Sequence, residues 1–187
     1  MIDFRRAIPI LIAVIVVGCA SGPGSTIGPG PTTAEPRPTA TTVDGRFRLD
    51  LDLAAASIRS TDGLTGSATL SVTEGGPAPI KAASGGPIAF TFVEVGGTRR
   101  LEAGFDAACA PYSLAPGAPI VAPLSKFGAW SQDDPNAEFY QGFFDDPEIH
   151  LPAGTWDVNA TAWFSEVECG GREHDMTTPP IRIDVRP

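Results

Sequence analysis

Carboxylates, two histidines and two widely separated cysteines are the residues of this 187-residue chain that could do chemistry. Asp133, Asp134, Asn136 and Glu138 place oxygen donors at nearly alternate positions, and Asp145, Asp146 and Glu148 follow. Calcium takes six to eight oxygens from such loops, and extracellular calcium fills even weak sites. The spacing lacks the EF-hand glycine and terminal glutamate, so a solvated acidic loop is the competing reading. As a glycosidase pair these acids are too close in sequence to straddle a sugar. His150 and His174 each sit beside acids, where imidazole serves as base, ligand or surface group. No G-x-S-x-G, H-E-x-x-H, P-loop or dinucleotide fingerprint accompanies them, which favours the surface role. Cys109 and Cys169, separated by 59 residues, can pair with each other or join both histidines around zinc, although their spacing matches no paired-ligand motif. The aromatics Phe127, Trp130, Phe139, Tyr140, Phe143 and Phe144 crowd one irregular stretch, where they either plug a core or leave a subset exposed as a binding patch.

The elements that must carry these residues read as strands. Phe47, Leu49, Leu51 and Leu53 alternate with Arg46, Arg48, Asp50 and Asp52, and 67–73 puts Ala68, Leu70 and Val72 on one side. Ile88, Phe90 and Phe92 form a third run, whose slipped phase at Val93 and Val95 suggests a bulge. Residues 101–105 and 120–124 are weaker strands, and 125–147 reads as irregular. Trp156, Val158, Ala160, Ala162 and Phe164 share one face of the clearest strand, which leaves Trp163 on the other, and Ile181, Ile183 and Val185 close the chain. With 21 Gly and 19 Pro between short runs, this pattern predicts an all-β antiparallel sandwich of about seven strands rather than a helical bundle.

The formal net charge is -9, and the two lysines Lys81 and Lys126 offer no basic patch, which argues against nucleic-acid binding. Residues 1–18 carry a basic start and an apolar run from Ala7 to Val17 that is too short to span a bilayer. The run ends in Val16-Val17-Gly18-Cys19, which resembles the lipobox of bacterial lipoproteins. That resemblance implies cleavage before Cys19, acylation of its sulfur with diacylglycerol, and anchoring on the outer side of a bacterial membrane. Residues 19–43, rich in Pro, Thr, Gly and Ser, then read as a disordered tether, and 44–187 as one folded domain. In that oxidising compartment the pair Cys109 and Cys169 reads as a disulfide.

A second resemblance lies in Leu151-Pro152-Ala153-Gly154-Thr155-Trp156-Asp157-Val158, which is similar to the opening of the penultimate strand in bacterial immunoglobulin-like and fibronectin-type domains. There a tyrosine hydroxyl makes the corner hydrogen bond, which Trp156 cannot supply through a hydroxyl. The expectation is a lipid-anchored, non-enzymatic binding or envelope-interaction module without cofactor or metal. Its partners would be the bilayer, through Cys19, and an extracytoplasmic protein or carbohydrate. Trp130, Tyr140, Trp163 and His174 are the binding candidates. An exported hydrolase and a calcium-binding surface domain are the alternatives.

Overall fold

The computed structural model describes residues 36–187. The expected signal segment, Cys19 and the expected tether as far as residue 35 lie outside the described residues. One sheet has the order β1-β2-β4-β9, formed by Thr39–Asp44, Phe47–Leu53, Gly66–Val72 and Ile120–Pro123. The facing sheet is built on β10 (Gly154–Phe164), flanked by β6 (Ile88–Glu94) and the short β7 (Arg100–Leu101) on one side. On its other side β12 (Ile181–Arg186) pairs with the first half of β10, and β11 (His174–Thr177) with the second. Thr178 bridges the gap between them: its hydroxyl accepts from the Ala160 amide and its own amide donates to the Ala160 carbonyl. Beyond β12 lies β3 (Ser57–Arg59). A two-stranded antiparallel sheet of β5 (Ala78–Ala83) and β8 (Cys109–Leu114) joins the second sheet through a two-bond bridge between Lys81 and Ser165.

The sandwich is thus confirmed, and its core is the one the alternation predicts. Phe47, Leu49, Leu51 and Leu53 face Trp156, Val158, Ala160, Ala162 and Phe164, all essentially inaccessible. Four expectations need correction. Twelve strands, not about seven, are present among the described residues, because Gly and Pro cut the chain into two- to seven-residue pieces around one long strand. Pairing is not wholly antiparallel, since β3 runs parallel to β12. The folded region begins before residue 44: β1 occupies part of the expected tether, because backbone pairing with β2 asks little of its side chains beyond Ala40. The β6–β10 register is unbroken, with no bulge; Val93 broke the phase because the outer face of β6 is also covered, burying Ala89 and Thr91.

The stretch read as irregular contains helix α1, Ala137–Asp145. Nine residues are too few to advertise a helical period, but Phe139, Tyr140, Phe143 and Phe144 line one side, and Tyr140 and Phe143 are buried. Its last turn holds no basic residue of its own. Lys126 supplies the charge from outside, donating to the carbonyls of Phe143, Asp146 and Glu148 and so satisfying acceptors that a helix C-terminus leaves open. Burial pushes the Lys126 ammonium below its ordinary pKa.

Candidate functional site

The acidic positions are engaged in separate local contacts. Asp134 accepts from the Asn136 amide at 2.8 Å, Asn136 bonds Thr98, Asp133 is exposed, and Glu138 sits on the first turn of α1. These groups serve the start of the helix, and among the described residues no three His, Cys, Asp or Glu side chains converge on a cation position. Zinc is further disfavoured because Cys109 and Cys169 are bonded to each other.

Both histidines act as local ties. His150 lies outside any strand, with Nδ1 2.7 Å from Asp146 and Nε2 3.4 Å from Glu148. The hydrogen bond to Asp146 raises the His150 pKa above its ordinary 6.5 and lowers that of Asp146. His174 is no simple surface residue: it stacks on Phe164, meets Phe47 edge-on, and holds Asp44 at 2.7 Å through Nδ1. It therefore stitches the β1–β2 turn to β11 and is withdrawn from the binding candidates. Arg46 pairs with Glu166 beside it.

The remaining candidates lie along a strap, residues 102–108, that crosses the outer face of the β10 sheet: Trp130 and Tyr140 beside its start and Trp163 beneath its middle. Ala103 donates to the Thr91 hydroxyl, and Asp106 accepts from the amides of Ser84 and Gly85, bonds that hold its carboxyl below the usual range. Tyr140, buried, both accepts from the Arg100 amide and donates to its carbonyl, which ties α1 to the near end of the strap. The Cys109–Cys169 bond ties down the far end.

Three adjoining clefts flank this strap. The first, about 230 Å³, lies between Gly104 and Gly128 under Trp130, Tyr140 and Phe144, with Arg100, Glu102 and Asp134 at its rim. The second, about 110 Å³, shares Gly104 and is bounded by Gly85, Gly86, Phe105 and Phe127; the Phe127 ring is half exposed. The third, about 80 Å³, shares Asp106 and reaches Lys81, Trp163, Gly170 and Gly171 beside the disulfide. The glycines allow close approach: a Cβ at Gly104 would lie 2.8 Å from the Phe127 ring.

The loop 165–173 closes the far end. The Ser165 hydroxyl accepts from the amides of Val167 and Glu168, Glu173 accepts from the Ser165 hydroxyl and the Glu166 amide, and Lys81 donates to the Val167 carbonyl. Gly170 has φ +79, and a Cβ at Gly171 would come within 2.9 Å of the Ser165 hydroxyl. Each of these positions therefore calls for glycine.

Structure therefore strings Trp130 and Tyr140, Phe127, and Trp163 along one strap, in the first, second and third clefts respectively. It also adds Phe105, Asp106 and Lys81 as lining residues and Arg172 over the Trp163 ring, which sequence reasoning missed. The outward phase of Trp163 was a usable signal; the others carry none, because only the strap brings them across.

The Trp156 corner also departs from expectation. The indole Nε1 donates to the Pro152 carbonyl at 3.0 Å, so a corner hydrogen bond four residues back is made without a hydroxyl.

No known family model matches the sequence, and no curated protein matches it. Among solved structures it is similar to the crystal structure of Spo0M, a sporulation control protein from Bacillus subtilis. That similarity has a TM-score of 0.37 and 10% identity over 77% of this chain and 51% of that one, so the chain spans about half the length of Spo0M.

Proposed function

We propose that the protein is a bacterial lipoprotein, anchored through Cys19 outside the cytoplasm, whose sandwich binds an extracytoplasmic ligand in the strap groove without catalysing a reaction on it. The observation that carries this reading is the groove itself: three clefts with aromatic walls and glycine beds, on a strap fastened by Tyr140 at one end and a disulfide at the other. Rigid walls reduce the ordering cost of binding. Neither histidine lines these clefts, which speaks for binding over hydrolysis.

A disulfide, which fits an oxidising compartment, supports the address. Cys19→Ala should leave unprocessed precursor in the producing cells; mature-size protein with unchanged membrane partition would overturn the anchor. A photo-crosslinking residue at Phe127, in the groove, should form adducts in those cells, while one at Thr41, exposed on the other sheet, should not. Equal labelling at both positions, or none at Phe127, defeats the binding reading.

A further inference from the structure

The geometry points to the Trp163 end of the groove as a docking site for an arginine-bearing peptide segment, with Arg172 as its internal stand-in. This rests on the groove reading and names the ligand chemistry at one end of it. The Arg172 guanidinium lies over the Trp163 ring, 3.8 Å from its centroid. Phe105 meets the same indole edge-on at 5.3 Å. A cation is drawn to the negative face of an indole, more strongly than to any other side-chain ring.

Arg172 is weakly committed to this place. Among the described residues it forms no ion pair and no side-chain hydrogen bond, so the ring is its one close partner. It is exposed, and follows Gly170 and Gly171. Negative charge stands nearby: Asp175 is directly opposite Trp163 in the β10–β11 register, which puts its carboxylate on the same face, and Asp106, bonded to Ser84 and Gly85, lines the cleft. The site thus has the charge to receive a cation from outside, in a chain whose net charge is -9.

A second observation favours a peptide over a small ammonium ion. Trp163 Nε1 is buried and meets no acceptor among the described residues. A buried donor without a partner is costly, and the backbone carbonyls of a peptide offer the acceptor that a simple ammonium ion lacks. The incoming arginine would displace Arg172 from the ring, and its backbone would take the indole hydrogen.

The test uses the full mature chain in detergent micelles, following the Trp163 indole resonance in ¹H–¹⁵N spectra, assigned with Trp163→Phe. The probe is Gly-Arg-Gly blocked at both ends. Arg172→Ala should bind it about fivefold to tenfold more tightly than the parent chain, because the competing internal cation is gone. Asp175→Asn should weaken binding by about twofold to threefold. The Gly-Gln-Gly analogue should leave the resonance unmoved. Equal affinity in Arg172→Ala and the parent, or an equal response to the glutamine analogue, overturns the proposal. Tetramethylammonium binding as tightly as the peptide would overturn the choice of a peptide. Loss of the Arg-peptide response with crosslinking at Phe127 intact defeats this inference alone; loss of that crosslinking defeats the groove reading beneath it.

Discussion

The two ends of the sandwich are closed by different physics. At the Leu53 end of β2, helix α1 drops Tyr140 and Phe143 into the gap between the sheets, Phe139 packs near Trp156, and Lys126 caps the helix carbonyls. At the Phe47 end there is no such plug. His174 packs against both Phe47 and Phe164, Arg46 meets Glu166, and the disulfide and Lys81 hold the loop 165–173. The first end is secured by buried apolar surface, the second by specific links around an exposed loop. An end filled with packed aromatics gives the cleft beside α1 a fixed wall. An end held by discrete ties can keep its backbone in place while leaving side chains such as Arg172 exposed, as recognition loops on a rigid scaffold require.

The sharpest way to break this contrast is to remove one fastening from each end. Phe143→Ala should cost about 3–5 kcal/mol, since it empties an aromatic site in a closed core and loosens α1. Chemical denaturation would register it as a lower midpoint. A loss below 1 kcal/mol would mean that the helix is not a structural plug.

Reducing the Cys109–Cys169 bond, which spans 60 residues, should cost about 2–4 kcal/mol, with most of the added amide exchange in 102–109 and 165–173. Exchange rising equally in α1 would show that the two ends are coupled. Thiols that alkylate freely in the native, unreduced protein would show that the bond does not form.

The smallest effect concerns pH. Because Asp146 raises the His150 pKa, the tie contributes stability below the ordinary imidazole value of 6.5 and loses it as pH rises through the raised value. Asp146, depressed, contributes above the ordinary carboxylate pKa and loses that stability as pH falls through its lowered one. Both groups are about one-third exposed, so the effect should be slight. Titration by NMR should place His150 above 6.5 and return it there in Asp146→Asn. An unshifted ring in the parent chain removes the tie.

What was legible in the sequence follows from periodicity. Strands β2, β4, β10 and β12 each bury one face, and a period of two records that directly in the residues. Strands β1 and β8 stayed hidden because Thr-rich or Pro-containing segments pair through backbone with few buried side chains, and β5 because the face it buries, Ala78, Ile80 and Ala82, is mostly alanine. Helix α1 stayed hidden because its nine residues leave room for only about two turns of period.

By itself, then, the sequence determined the β-rich class, the two-faced strands and the inward-facing core residues, since each depends on local alternation. Tertiary structure alone decided the groove. Trp130, Phe105, Trp163 and Arg172 belong to four separate segments, and their meeting depends on how the strap crosses β6 and where the disulfide holds it. Long-range chain crossings of that kind leave no period in the residues they bring together. They are set by which covered faces must be buried and which backbone groups still need partners.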